Sequence, residues 1–89
     1  MSKVNIVRLT NEEIRDLGIE SWPIWEKEIS RFDWTYSDDE QCYILEGEFI
    51  VETKEGIFNV VPGDYVTFQK GLTCIWDIKK PVKKYYNFS

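Results

Sequence analysis

Residues 40–47, which read Glu-Gln-Cys-Tyr-Ile-Leu-Glu-Gly, constrain the fold of this chain more than any other stretch. They indicate a β-strand in which Glu40, Cys42 and Ile44 share one face, because side chains alternate between the faces of a strand. Short strands and turns repeat downstream, with turns at 54–56, 62–64 and 70–71. Turns spaced roughly 8–12 residues apart indicate an all-β sandwich or barrel. We expect breaks in strand structure at Gly47 and Pro81.

The residues before this strand predict one short helix and two further strand segments. Thr10 and Glu13 have the spacing of a capping box, in which each side chain bonds the backbone of the other residue. The helix is expected to run through Leu17 and end at Gly18, which tolerates a left-handed backbone. Residues 4–7 predict a short strand, and residues 31–36 predict a longer one.

Size and charge exclude several classes of protein. With 89 residues, the chain predicts a single domain over residues 1–89. The formal net charge of -5 argues against nucleic-acid binding. No apolar run is long enough for a membrane span, and no apolar leader follows Met1, so we expect a cytoplasmic protein with free thiols. Four lysines near the end predict a solvated, charged edge strand: Lys79, Lys80, Lys83 and Lys84.

Two stretches resemble the motifs of the cupin superfamily. The first cupin motif ends in a glutamate, an apolar strand and a glycine, as residues 40–47 do. The second motif contains two glycines, and Gly63 and Gly71 hold those positions. Its proline, histidine and asparagine are replaced here by Gln69, Cys74 and Ile78. The resemblance covers nearly the whole chain and implies a small cupin-type double-stranded β-helix barrel (a jelly roll) with a short N-terminal helix.

Three aromatic stretches, at residues 22–25, 32–34 and 71–76, are similar to a narrower group. These are the small single-domain cupins that resemble ureidoglycine aminohydrolases, most of which have no assigned function. The resemblance therefore implies a fold more than an activity, because one fold carries many functions.

The ligand positions of metal-binding cupins are mostly changed. In those relatives two histidines, spaced i and i+2, precede the glutamate. Counting back from Glu40 leads to Trp34 and Tyr36, or to the residue before each, and the chain contains no histidine. Glu40, Cys42 and Cys74 are three potential metal donors, but their spacing is not a known metal-binding signature. We therefore expect neither a metal nor another cofactor.

The resemblance makes the face that carries Glu40 the interior of the barrel. Six side chains are expected to meet there, and they supply one carboxylate, one phenol, two indoles and two thiols: Trp34, Tyr36, Glu40, Cys42, Cys74 and Trp76. The two indoles are suited to stacking a planar ligand. The bland alternative is that the indoles only fill a small barrel and the thiols are buried apolar groups.

Two interpretations of the polar groups remain open. Burial among indoles disfavours an ionised carboxylate, so Glu40 is expected to exchange protons near neutral pH, with Tyr36 as a proton donor and Cys74 as a third catalytic group. Alternatively, Glu40 is a structural remnant that bonds Tyr36 or backbone amides. Cys42 and Cys74 are a redox pair only if their Cα atoms lie within ~7 Å of each other.

Three functions follow from these observations. The first is a protein that binds a small molecule in the barrel without a histidine-ligated metal. The second is a small-molecule enzyme, of hydrolase or isomerase type, that uses Glu40, Tyr36 and Cys74. The third is a structural or regulatory interaction protein that uses its Trp-rich outer strands and basic C-terminal end. Trp22 and Trp25 either cover the edge of the barrel or form a homodimer contact, and we expect one of the two to pack in the core.

Overall fold

A computed structural model describes residues 3–88, and it confirms the all-β prediction. The only α-helix in this range lies near the N-terminus and is followed by a 3₁₀ turn, Ile19–Ser21. The elements are β1 (Val4–Arg8), α1 (Asn11–Leu17), β2 (Ile24–Lys27), β3 (Ser30–Thr35), β4 (Glu40–Thr53), β5 (Gly56–Val60), β6 (Asp64–Phe68) and β7 (Thr73–Phe88).

The strands form an antiparallel sheet whose order is β1-β6-β4-β7-β2. Strand β5 pairs with β4, and β3 pairs with β7. The two longest strands, β4 and β7, pair with each other and carry the other strands at their edges. Alternate side chains of these strands are buried, as a barrel interior requires, so the jelly-roll barrel predicted from the cupin motifs is confirmed.

The expected breaks at Gly47 and Pro81 were wrong, because β4 and β7 continue through both residues. The register between the two strands shifts on either side of Glu46 and again after Glu48, which is the pattern of a β-bulge. Gly47 has a φ of 99°, and a Cβ on it would overlap the Pro81 carbonyl. The glycine therefore permits a close crossing of two continuous strands.

The bulge changes which residues of β4 point into the barrel. Before it, the even-numbered Glu40, Cys42 and Ile44 are buried. After it, the odd-numbered Phe49 and Val51 are buried instead. This change of phase keeps apolar side chains inside at both ends of a 14-residue strand.

The predicted lysine-rich edge strand was also wrong. Strand β7 is flanked by β4 on one side and by β2 and β3 on the other, so it is not an edge. Lys79 and Lys80 are exposed, but Lys84 is only 4% exposed. The Lys84 side chain enters the barrel, and its buried ammonium needs a counter-charge from another buried group.

The short helix forms as its caps predict. The Thr10 hydroxyl accepts a hydrogen bond from the Glu13 amide, and the Glu13 carboxylate accepts one from the Thr10 amide. Gly18 ends the helix in the left-handed conformation. Ile19, directly after it, is fully buried. No helix among residues 3–88 is long and apolar enough to cross a membrane.

Candidate functional site

A cavity of about 230 Å³ opens into the barrel beside β3, β4 and β7. Seven of its nine lining residues are aromatic, and the other two are a carboxylate and an ammonium. The lining consists of Trp25, Phe32, Trp34, Tyr36, Glu40, Trp76, Lys84, Tyr86 and Phe88. An apolar cavity of about 150 Å³ is known to hold benzene, so this volume is sufficient for one six-membered ring with a small substituent.

The polar floor of the cavity is a buried ion pair between Lys84 and Glu40. The Lys84 Nζ lies 3.0 Å from the Glu40 Oε2, and both side chains are almost wholly buried. The same ammonium donates a hydrogen bond to the Cys42 Sγ at 3.2 Å. In the strand register Lys84 faces Ile44, so its stem runs diagonally along β4 to reach Cys42 and Glu40. The interior of the barrel thus contains one positive and one negative charge in contact.

Two indole rings enclose the ammonium of Lys84. Its Nζ lies 4.9 Å from the ring centroid of Trp25 and 4.9 Å from that of Trp76. Burial lowers the pKa of Lys84, but its electrostatic interactions and hydrogen bonds with Cys42 and Glu40 outweigh that effect, so the net shift is upward. Lys84 is therefore an ammonium at neutral pH, and cation–π attraction adds to its ion pair.

Tyr36 is buried in the core beside the Glu40–Lys84 ion pair. Its ring stacks on Phe68 at a centroid distance of 4.8 Å, and its hydroxyl accepts a hydrogen bond from the Trp76 Nε1 at 3.3 Å. Burial raises the pKa of Tyr36, and the charge of Glu40 adds to the shift. The phenol therefore stays protonated, so it is able to donate a hydrogen bond but is a weaker proton donor than an ordinary tyrosine.

The structure brings together four of the six residues proposed from the sequence. Trp34, Tyr36, Glu40 and Trp76 all line the cavity. Trp34 stands at its mouth and remains 46% exposed.

The other two residues, both cysteines, do not line the cavity. Cys42 lies under the ion pair, fully buried, and burial raises its pKa to about 12. Cys74 is buried on the wall of a separate, wide groove of about 760 Å³, together with Leu72 and Thr73. Burial raises the pKa of Cys74 to about 11. Both thiols are therefore protonated at neutral pH, which removes the nucleophilic form of cysteine.

Sequence reasoning missed Lys84, which is the second polar group of the cavity. It also left Trp25, Phe32, Tyr86 and Phe88 out of the site, although all four line it. One signal was present in the sequence, because Lys84 falls in phase with Val82, Tyr86 and Phe88 on the alternating face of the last strand.

The donor groups do not fit the metal that many cupins hold. The Glu40 oxygen already contacts an ammonium, and the Cys42 thiol is protonated at neutral pH. The resemblance places two histidines at Trp34 and Tyr36 or at the residue before each, and the Tyr36 hydroxyl already accepts a hydrogen bond from Trp76. Among residues 3–88 no three His, Cys, Asp or Glu side chains form a cluster suited to a metal ion.

The barrel and its aromatic cavity define a small cupin-fold domain. Residues 15–86 match the family described as the EutQ-like cupin domain, which covers most of the chain. The chain belongs to this family of EutQ-like cupins. No curated protein matches it.

Solved structures agree with this assignment. The chain shares 49% identity with a DUF861 family protein from Thermotoga maritima, with a TM-score of 0.94, over 97% of this chain and 99% of that one. It is 20% identical to the EutQ protein of Clostridium difficile, with a TM-score of 0.68, over 96% of this chain but 66% of that one. The second likeness shows the fold alone.

Proposed function

We propose that this domain binds a small, single-ring molecule in the aromatic cavity, without a histidine-ligated metal. The observation that carries the proposal is a cavity of about 230 Å³ with aromatic walls and a buried Glu40–Lys84 pair as its floor. Ligand sites are typically concave, mostly apolar and equipped with a few placed polar groups. A ring would stack on the exposed face of Trp34 and reach the charged pair with one polar substituent.

The lysine supports a site that works without a metal. In metal-binding cupins the glutamate of the first motif contacts a cation. Here the Lys84 ammonium lies 3.0 Å from Glu40 and fills that electrostatic role with a covalently attached charge. The chain thus carries its own fixed cation in the barrel.

A catalytic role is the second candidate, in keeping with the resemblance to the ureidoglycine-aminohydrolase-like group and with a cytoplasmic location. Glu40 and Tyr36 share the cavity, so a carboxylate and a hydrogen-bonding phenol would both lie beside a bound molecule. Cys74 lines a different groove, so a three-residue mechanism has less support. Binding needs only the walls and floor of the cavity, and it is therefore the function that the geometry supports best.

A fragment screen tests the proposal directly. The purified protein is screened by thermal shift against single-ring compounds, and hits are titrated with the wild type and with Trp34→Ala. A ligand at 100-fold its Kd stabilises a folded protein by about 2.7 kcal/mol, which is readily measured. We expect hits whose affinity falls several-fold in Trp34→Ala, because that ring forms the mouth of the cavity.

Trp22→Ala is the matched control. Trp22 packs against Tyr65, with ring centroids 6.5 Å apart, and it does not line the cavity. The Trp22→Ala substitution also removes one indole, so any general effect of losing a tryptophan appears in both variants. Hits that weaken equally in the two variants, or a broad single-ring library without hits, would contradict the proposed function.

A further inference from the structure

We infer that the ligand of this cavity is uncharged, a neutral six-membered ring that carries both a hydrogen-bond donor and an acceptor, such as a carboxamide. The inference rests on the proposed function and names the chemical class that the same site accepts. It follows from the net charge of the groups at the cavity floor, which is zero.

The charges inside the barrel already balance. Glu40 and Lys84 are the two charged residues among those that line the cavity, and their charged atoms are 3.0 Å apart. The two nearby groups that would add negative charge, Tyr36 and Cys42, stay protonated because burial raises the pKa of each. A charged ligand would leave one buried charge without a partner, which is costly in an apolar site. A neutral ligand keeps the balance.

A cationic ring is disfavoured by the position of Lys84. Aromatic cages commonly bind cationic ligands through the faces of their rings. Here the ammonium of Lys84 already occupies the faces of Trp25 and Trp76, at 4.9 Å from each centroid. A ligand cation would have to approach this fixed positive charge while finding Glu40 already paired.

An anionic ring is disfavoured by Glu40. An anion would be drawn to Lys84, but the Glu40 carboxylate contacts the same ammonium and would repel it. The cavity therefore differs from an anion site, in which a cation stands without a fixed counter-charge.

A neutral donor–acceptor group matches the pair. An ammonium has three N–H donors, and two of them are directed to Glu40 and Cys42 within residues 3–88. The third is able to bond a ligand carbonyl oxygen, while an N–H of the ligand bonds a carboxylate oxygen of Glu40. A carboxamide on a single ring offers both atoms side by side, and its ring is small enough for a cavity of about 230 Å³.

Three probes of one shape separate the charge classes: benzamide, benzoate and benzylamine, which are neutral, anionic and cationic at pH 7. Their affinities are compared by ligand-observed NMR titration. We expect the wild type to bind benzamide more tightly than either charged ring by about tenfold or more.

Charge-changing variants should reverse this preference. Glu40→Gln leaves the Lys84 ammonium alone, so benzoate should become the tightest binder. Lys84→Met leaves the Glu40 carboxylate alone, so benzylamine should become the tightest binder. Trp22→Ala, outside the cavity, should keep the order of the wild type. The wild-type order is decisive by itself if a variant does not fold.

The outcomes separate the inference from the proposed function. A wild type that prefers benzoate or benzylamine binds a ring in the cavity but overturns the inference of neutrality. A wild type that binds none of the three probes, although the wider screen yields hits, also overturns the inference. Absence of binding in both the probe series and the screen overturns the proposed function, and the inference with it.

Discussion

Replacing Lys84 with methionine should strongly destabilise the fold. Methionine keeps an unbranched, flexible side chain of similar reach and removes only the ammonium. The change leaves Glu40, which is 5% exposed, without its cation at 3.0 Å. It also ends the contacts of the ammonium with the rings of Trp25 and Trp76.

The expected loss follows from the burial of the pair. Removing one partner of a buried ion pair costs about 3–5 kcal/mol, because the remaining charge has neither water nor a counter-charge. We expect a loss of about 3 kcal/mol, a large fraction of the roughly 5–15 kcal/mol that stabilises a typical domain. With an m-value of about 1–3 kcal/mol/M, the urea midpoint should fall by roughly 1–3 M.

A double-mutant cycle isolates the pair from its surroundings. Urea unfolding is followed by tryptophan fluorescence for the wild type, Lys84→Met, Glu40→Gln and the double variant. The double variant removes both charges together, so it should lose at least about 2 kcal/mol less than the sum of the single losses. Equal m-values across the four proteins establish that the unfolded states are comparable.

Lys79→Met is the matched control on the same strand. The Lys79 Nζ lies 2.9 Å from the Asp77 Oδ2, almost the distance of the buried pair, but the Lys79 side chain is 54% exposed. Exposed pairs contribute little because water and salt screen them. Equal losses for Lys79→Met and Lys84→Met, or strictly additive losses in the cycle, would refute the reasoning that burial gives the Lys84 pair its weight.

Three further predictions concern the thiols and the bulge. Cys42 and Cys74 are buried, and their pKa values are raised to about 12 and about 11. A thiol reagent at pH 8 should therefore label them slowly in the native protein and completely in denaturant. Rapid labelling of the native protein would contradict their buried positions. The pKa of Cys42 is higher in the folded state than in the unfolded state, so its contribution to stability is complete below about pH 9 and is lost as the pH rises towards 12. Cys42→Ala should therefore flatten the fall of the urea midpoint at alkaline pH. An unchanged fall in the variant would count against the raised pKa. Gly47→Ala should lower the free energy of unfolding by about 1–3 kcal/mol more than Gly71→Ala does. Both glycines have φ above 90°, but only a Cβ at Gly47 would overlap Pro81. Similar Tm values for the two variants would exclude a close crossing of the strands.

The barrel could be predicted from the sequence because its signals are local. Alternation along residues 40–45 and glycine turns at regular spacing depend on neighbouring residues only. The capping box of Thr10 and Glu13 is local in the same sense. These elements appear in the structure where the pattern places them.

The bulge could not be predicted, because it depends on a distant strand. Glycine and proline usually interrupt strands, which led to the expected breaks at Gly47 and Pro81. In the folded chain the two residues meet, and the missing side chain of the glycine makes room for the proline carbonyl. The close approach of Gly47 and Pro81 joins residues that are far apart in sequence, so no local pattern predicts it.

Lys84 was misplaced for a similar reason. Lysine is rarely buried unless it is paired, so a cluster of four lysines predicts a solvated surface. Its partners are distant in sequence or on other strands, with Glu40 on β4, Trp25 on β2 and Trp76 eight residues earlier on β7. The alternation of Lys84 with Val82 and Tyr86 was a local signal that it faces inward. The prediction of a solvated surface gave more weight to its charge than to this alternation.

The central claim is that the aromatic cavity binds a neutral ring beside the Glu40–Lys84 pair. The most direct measurement is a ¹H–¹⁵N NMR titration with benzamide, following the indole N–H signals of the four tryptophans. Trp25, Trp34 and Trp76 line the cavity, whereas Trp22 does not, so the first three signals should shift in a saturable way and the Trp22 signal should stay in place. No saturable shift, or a shift confined to Trp22, would contradict the claim.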